Sequence, residues 1–137
     1  DSDGQHDPSE IPKLVKELKD GNYDVVIGFR PPDKNMPMTK KLGNWMIYKT
    51  SKVLFGVDIK DTQSGLRVFT RKACQKIKWK SARYAVSSEI VMRVGKGKLK
   101  YKEIPIKTIY GDKYKGTNVV DGLKIFLNML VWKITRA

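Results

Sequence analysis

Residues 7–28, DPSEIPKLVKELKDGNYDVVIG, decide the fold because they combine a helix start, an amphipathic helix and a short strand. Asp7 can cap the helix, Pro8 fits its first turn, and Glu10 stands three residues after the cap. The face that follows is apolar at helical spacing, with Ile11, Leu14, Val15 and Leu18 on it. Residues 24–28 then read as a short buried strand. A helix that returns to a strand predicts an α/β fold.

An Asp-x-Asp motif precedes this helix, formed by Asp1 and Asp3, with Gln5 two residues further on. Two carboxylates one residue apart in an extended segment or tight turn can reach one divalent cation. Their hard oxygen donors suit Mg²⁺ or Mn²⁺, which keep positions free for phosphate oxygens. Gln5 can add a third oxygen or hold a bridging water. Taken alone, an acidic pair is more often an ordinary surface loop, and that interpretation stays open.

The charge of the chain is strongly basic. Its 137 residues include 28 Lys or Arg and 14 Asp or Glu, which gives a net charge of +14. Such a field attracts polyanions, including nucleic acid, sugar nucleotides and anionic membrane, although a solvated surface explains most individual lysines. No helix-turn-helix, zinc-finger or RNA-recognition signature accompanies the charge. The single cysteine, Cys74, excludes an internal disulfide framework and a multi-cysteine zinc site.

Further helices and strands follow the first strand. The predicted elements are a helix over residues 38–55, a turn over 61–65, a strand over 66–70, helices over 71–77 and 84–94, and a strand over 100–106. Gly56 can cap the first of these helices. Its broad apolar side is expected to include Leu42, Trp45, Met46 and Val53.

The most apolar stretch covers residues 123–134 and is interrupted by Lys124, Asn128 and Lys133. It is too short to span a bilayer, which needs about 20 apolar residues. Three interpretations remain open: a core helix, an interfacial helix over residues 119–136 with Trp132 at the lipid headgroups, or the approach to a membrane segment outside this chain.

Five segments occur in a characteristic order and spacing: DSDGQHDP, VVIGFR, DTQSGLRVF, the Glu of SSEI, and EIPIKTIYG. Together they resemble the inverting family-2 glycosyltransferases, most closely the polyprenyl-phosphate branch typified by dolichol-phosphate mannosyltransferase. The resemblance implies a partial GT-A fold, with a mixed sheet flanked by helices. Residues 1–137 are then the C-terminal part of a single GT-A domain, and the N-terminal nucleotide-binding half is expected to be missing.

The resemblance also implies roles for individual residues. Asp61 is expected to be the general base, and Arg30 to bind the donor diphosphate together with Asp1 and Asp3. Those two carboxylates and Gln5 are expected to hold Mg²⁺ or Mn²⁺. The residues expected to bind the acceptor are Lys40, Lys41, Asn44, Gln63, Ser64, Arg67 and Glu89. Because a phosphate acceptor is largely dianionic at neutral pH, Asp61 alternatively orients it without removing a proton.

The activity that the resemblance implies is a metal-dependent, inverting transfer of a sugar to polyprenyl (dolichyl) phosphate. The donor is a nucleotide-sugar of the GDP-mannose or UDP-glucose type. The expected location is the cytoplasmic face of a membrane, reached peripherally or through a segment outside this chain. One alternative is a family-2 enzyme with another acceptor. Another is a basic, non-catalytic module that binds anionic membrane or nucleic acid, which strongly salt-dependent binding to any polyanion would favour.

Overall fold

The computed structural model describes residues 4–82, 85–109 and 119–135. A 3-10 turn at Pro8–Glu10 leads into the first helix. The helices are α1 (Ile11–Asp20), α2 (Met38–Phe55), α3 (Arg71–Lys76), α4 (Ala85–Lys96) and α5 (Val119–Thr135), and the strands are β1 (Val25–Phe29), β2 (Arg67–Phe69) and β3 (Tyr101–Pro105). Each predicted helix and strand is present, with ends shifted by at most a few residues.

The three strands form one mixed sheet with β1 in the centre. Strand β2 pairs with it antiparallel and β3 pairs with it parallel. Ile27 of β1 lies opposite Arg67 on one side and Glu103 on the other. Residues directly opposite each other point to the same face of a sheet, so these three side chains share one row. The expected α/β fold, a mixed sheet flanked by helices, is confirmed.

Both faces of the sheet are covered by helices. On one face, Leu14 of α1 packs with Val26 and Ile104. On the other, Val25 and Ile27 belong to a larger core built from α2, α3, α4 and α5. The alternation of side chains along β1 therefore separates two cores, and the site described below lies at the edge of the larger one.

The start of the first helix differs in one detail from the prediction. Asp7 does cap the turn, since its Oδ1 accepts a hydrogen bond from the Ser9 amide at 2.9 Å. Glu10, however, does not return to the cap: its Oε1 accepts from the amide of Lys107 at 3.2 Å. The carboxylate thus ties α1 to the segment that follows β3.

Helix α2 has the predicted bounds, but its apolar side was assigned wrongly. Gly56 ends the helix in the left-handed conformation, with φ of 69° and its amide bonded to the carbonyl of Lys52. The buried residues are Ile47, Ser51 and Phe55. The side chains expected to form the apolar side are exposed, Leu42 by 58% and Val53 by 78%. Apolar residues stand on both sides of this helix, so periodicity alone does not identify the buried side.

Helix α5 packs against α2. Like α2, it has a buried side and an exposed side that is also apolar. Ile125, Met129 and Trp132 are buried. Trp132 is only 5% exposed, as expected of a core helix and not of an interfacial helix that places this side chain at lipid headgroups. The opposite side of α5 remains apolar and exposed. We define the outer apolar surface as the exposed side chains of both helices: Leu42, Trp45, Met46 and Val53 of α2, and Leu123, Leu127, Leu130, Val131 and Ile134 of α5. Among the described residues, no helix is long and apolar enough to cross a membrane.

Candidate active site

The carboxyl ends of the parallel strands β1 and β3 bring several of the predicted residues to one edge of the sheet. Arg30 directly follows β1. Beyond β3, His6 and Thr108 form an isolated antiparallel bridge, and the Ile109 amide donates to the carbonyl of Gln5 at 3.0 Å. Ligands of open α/β sheets bind outside this edge. Gln5 therefore lies near this edge, whereas Asp1 and Asp3 fall outside the described residues.

Asp61 reaches the same edge from the loop between α2 and β2. Its Oδ2 accepts from Arg30 Nε at 2.7 Å, and its Oδ1 accepts from Arg30 Nη2 at 2.8 Å. The Arg30 backbone amide adds a third bond to Oδ2 at 3.1 Å. The side chains are 25% and 12% exposed, so the pair is partly withdrawn from water. A two-pronged guanidinium–carboxylate pair of this kind has a defined geometry as well as charge complementarity.

The backbone around Asp61 is held by two charged side chains of the sheet. Glu103 accepts from the Lys60 amide at its Oε2 and from the Asp61 amide at its Oε1, both at 2.9 Å. Arg67 Nη2 donates to the carbonyl of Thr62 at 2.9 Å. Both side chains come from the row that contains Ile27, one from each neighbouring strand. We refer to Arg30, Asp61, Arg67 and Glu103 as the edge cluster.

Glu103 was not among the residues predicted from the sequence. The signal available was its position on the same side of β3 as Tyr101, a side chain that packs against the larger core. An acidic residue at an inward-facing strand position needs hydrogen-bond donors. The sequence did not show which donors they are.

Burial shapes the electrostatics of the edge cluster. It lowers the pKa of Arg67 to about 10, an effect that the nearby Asp61 opposes and Arg30 reinforces. It also raises the pKa of the Glu103 carboxyl, against the two backbone donors that stabilise the charged form. At neutral pH, Arg67 remains a cation in a poorly hydrated place. Such cations interact strongly with anions that come close.

The turn that follows Asp61 contacts helix α4. Gln63 Nε2 donates to Ser88 Oγ at 2.8 Å. Ser64 has no exposed surface, and its Oγ accepts a long hydrogen bond of 3.4 Å from the Leu66 amide. In this conformation Gln63 and Ser64 therefore bind other parts of the protein, and their roles toward an acceptor stay predictions.

Glu89, one residue after Ser88, is completely buried. Its carboxylate accepts from the amides of Lys80 and Ser81 and pairs with Arg93 at 2.8 Å. Burial raises the pKa of this carboxyl, but the hydrogen bonds from Ser81, Arg93 and Lys80 outweigh it and hold the pKa at about 2. The contacts attach the segment before α4 to that helix. An acceptor-binding role for Glu89 stays a prediction.

The remaining predicted residues lie at the start of α2. Lys40 and Asn44 line a groove between α2 and α5, together with Gly43, Val119 and Gly122. Lys41 points elsewhere, toward the carbonyl of Lys34 at 3.5 Å. The groove thus joins a basic side chain and an amide to the two helices that carry the outer apolar surface.

A metal site is not assembled by the described residues alone. Within residues 4–82, 85–109 and 119–135, no group of three or more His, Cys, Asp or Glu side chains comes together. Of the three expected ligands, Gln5 alone belongs to these ranges. The predicted metal and its ligands Asp1, Asp3 and Gln5 therefore stay a prediction.

Comparison with known proteins adds independent information. Residues 1–78 match the family described as glycosyl transferase family 2. An uncharacterised protein of Methanocaldococcus jannaschii is 43% identical over 98% of this chain and 58% of its own length. The UDP-N-acetylglucosamine–dolichyl-phosphate N-acetylglucosaminyltransferase of Methanococcus voltae is 39% identical over 98% of this chain and 57% of its own.

A dolichyl-phosphate β-glucosyltransferase of Trichomonas vaginalis is 32% identical over 98% of this chain and 46% of its own length. The chain thus spans a little over half the length of the first two of these relatives, and less than half of the third.

Proposed function

Since this chain belongs to glycosyl transferase family 2, we propose that the protein transfers a sugar from a nucleotide-sugar to a polyprenyl phosphate. The observation that best supports this proposal is the edge cluster, where Arg30 and Asp61 meet at the carboxyl end of β1. Two relatives are named as dolichyl-phosphate sugar transferases, which supports a lipid-phosphate acceptor.

In this proposal Arg30 binds a phosphate oxygen of the donor diphosphate. An anion that approaches Arg30 competes with the Asp61 carboxylate for the same N–H donors, since a guanidinium binds phosphate and carboxylate with similar geometry. Exchange of partners would release the carboxylate of Asp61 toward the acceptor. Asp61 then orients the acceptor, or accepts a proton where the acceptor carries one.

The transfer itself is proposed to invert the anomeric configuration. An oxygen of the acceptor phosphate attacks the anomeric carbon, and the bond from that carbon to the donor diphosphate breaks on the opposite side. The nucleoside diphosphate leaves with both electrons of the broken bond. Arg67, a half-buried cation close to Asp61, would stabilise negative charge on the leaving diphosphate.

Asp1, Asp3 and Gln5 are proposed to hold Mg²⁺ or Mn²⁺. Their oxygen donors suit these metals, and Gln5 lies at the edge of the sheet that carries Arg30. A bound cation neutralises charge that develops on the leaving diphosphate.

The acceptor is proposed to enter along α2. Lys40 and Asn44, which line the groove between α2 and α5, would contact the phosphate, and Lys41 would add positive charge nearby. The hydrocarbon chain would lie against the outer apolar surface. Large exposed apolar patches mark membrane or partner contacts, so the same surface would rest on a membrane, at its cytoplasmic face.

The complete gene product, with polyprenyl phosphate in detergent, tests this proposal. UDP-glucose, UDP-N-acetylglucosamine and GDP-mannose are offered separately, with Mg²⁺, with Mn²⁺ and with excess EDTA. The expected product is a polyprenyl-phosphate sugar, identified by mass, with the inverted anomeric configuration in its proton NMR spectrum. Activity is expected to be lost in EDTA and restored by the metal.

The basic, non-catalytic module is the alternative that the outer apolar surface and the net charge of +14 also support. It predicts binding to anionic vesicles without formation of any glycolipid from the three donors. Salt-sensitive vesicle binding together with no product would therefore replace the transferase proposal.

A further inference from the structure

We propose that Glu103 is the positioning residue for Asp61, holding the backbone of residues 60–61 so that the Asp61 carboxylate meets Arg30. This inference rests on the proposed function, because Asp61 is the residue proposed there to act on the acceptor. Glu103 itself is not proposed to touch a substrate.

The first argument is the pattern of hydrogen bonds. Lys60 and Asp61 belong to the loop between α2 and β2, where a backbone amide has no strand ladder to bond with. Both amides instead donate to one carboxylate, each to a different oxygen of Glu103 at 2.9 Å. The Asp61 amide is partly buried and needs such a partner, whereas Lys60 is exposed. A single side chain thereby determines the direction of two consecutive peptide groups.

The second argument is the rigidity of what holds that side chain. Five residues of β3 pair in register with β1, from Val25 opposite Tyr101 to Phe29 opposite Pro105. Arg30 follows the last of these pairs. Arg30 is therefore attached directly to β1, and the backbone of Asp61 is attached to β3 through Glu103. Both groups are held by the same pair of strands. The distance between Arg30 and Asp61 does not depend on the loop alone.

The third argument is the contact on the other side of the loop. Arg67, in the same sheet row as Glu103, binds the carbonyl of Thr62. The loop is thus held at amide hydrogens by an anion and at a carbonyl by a cation. Each charge complements the backbone dipole that it meets.

Glu103→Gln tests the proposal with little change in side-chain volume. The amide keeps one acceptor oxygen and turns an NH₂ group toward the second backbone amide, so one of the two bonds is lost. We expect kcat to fall about tenfold or more, because small displacements of reacting groups cost rate steeply. The KM for the nucleotide-sugar is expected to change less than about twofold, because Glu103 is not proposed to touch the substrate and binding of the substrate before reaction is unaffected.

The matched control is Asp24→Asn. Asp24 lies at the amino end of the same strands, and its Oδ2 accepts from the Lys100 amide at 2.9 Å. This substitution also converts a carboxylate that binds the backbone into an amide, but away from the edge cluster. We expect it to leave kcat within about twofold of the wild type, as for other substitutions far from the reacting groups.

A double variant separates positioning from general support of the fold. If Glu103 acts through Asp61, then Glu103→Gln lowers kcat in the wild type but changes it less than about twofold in the Asp61→Asn background. An equal loss of kcat in both backgrounds would overturn the proposal.

A measurement without catalysis keeps the two proposals apart. The Arg30 Nε–Hε group, which donates to Asp61 at 2.7 Å, is followed by NMR of arginine-labelled protein and assigned by its loss in Arg30→Lys. We expect its signal to shift and to exchange faster with water in Glu103→Gln, but not in Asp24→Asn. An unchanged Arg30 signal in Glu103→Gln overturns the positioning role. Absence of sugar transfer by the wild type overturns the proposed function, while the Arg30 signal still decides the role of Glu103.

Discussion

The edge cluster and the outer apolar surface reverse the usual distribution of residues. In the edge cluster, charged side chains are partly buried and paired, as Arg30 and Asp61 are. On the outer surface of α2 and α5, large apolar side chains such as Leu42 and Leu127 are more than half exposed. Proteins rarely bury charges or group exposed apolar side chains without a functional reason.

The contrast matches the chemistry of a lipid phosphate, which has an anionic head and a hydrocarbon tail. Cations near the sheet edge suit the head, and exposed apolar helices suit the tail and the membrane around it. The groove lined by Lys40 and Asn44 lies between these helices. The five predictions that follow test the buried charges of the molecule, inside and outside the edge cluster, and its exposed apolar side chains.

The largest effect is expected from a buried charge, Glu89. Replacing it by Ala leaves Arg93 and two backbone amides without their partner and is expected to cost about 3–5 kcal/mol of unfolding free energy. Urea unfolding at pH 7 measures this change. Glu17→Gln, which breaks a surface pair with Lys102, is the control and is expected to cost about 0.5 kcal/mol or less.

The same residue predicts a pH dependence. The pKa of Glu89 is about 2 in the folded protein and 4.5 ordinarily. The unfolded state thus takes up the proton first as the pH falls. The stabilisation of about 3 kcal/mol, present above pH 4.5, is lost as the pH approaches 2. In Glu89→Gln this loss should disappear, and an unchanged acid profile would contradict the buried-pair interpretation.

The second effect concerns the edge cluster. Asp61→Asn is expected to lower kcat by about 10²-fold or more, the usual contribution of a residue that handles a proton or orients the attacking group. Asp58→Asn is the control in the same loop, because Asp58 pairs with Lys52 at the surface. It is expected to change kcat less than about twofold. Equal activities of the two variants would exclude Asp61 from the reaction.

The third effect concerns the outer apolar surface. Leu42→Ser combined with Leu127→Ser is expected to weaken binding to anionic vesicles about tenfold or more, because burial of one leucine contributes about 1.5–3 kcal/mol. Vesicle sedimentation measures this. Ile11→Ser, an exposed apolar residue of α1 on the other side of the sheet, should leave binding unchanged. An equal loss of vesicle binding in the double variant and in Ile11→Ser would argue against a specific membrane surface.

The smallest effect compares the two sides of α2. Val53→Ala is expected to change the unfolding free energy by about 0.5 kcal/mol or less, since Val53 is 78% exposed. Ile47→Ala, on the buried side, should cost about 2–5 kcal/mol. Thermal unfolding of both variants tests this assignment, and a large loss with Val53→Ala would show that the outer surface is covered in solution.

The features that could be predicted are those that depend on neighbouring residues. Pro37 and Gly56 lie at the two ends of α2, and Asp7 caps the first turn, all through local backbone chemistry. The five family segments also pointed to Asp61 and Arg30 individually, each with its own expected role, but the pairing of their side chains became known only from the structure.

The features that could not be predicted depend on contacts between distant residues. Glu103 binds amides that are 42 and 43 positions away. The position of Glu103 in the sequence contains no information about which backbone amides it binds. The buried side of α2 was missed for a related reason, because that helix has apolar residues on two sides and α5 covers one of them.

Residue order alone was enough to establish the α/β fold, the family and the positions of the helices and strands. These follow from hydrophobic period, turn chemistry and short motifs, which act over a few residues. The tertiary structure determined which apolar side of α2 is covered, and it brought Glu103 to the backbone of Asp61. Those outcomes depend on which surfaces of the helices and strands pack together, and burial and hydrogen-bond pairing are properties of that packing.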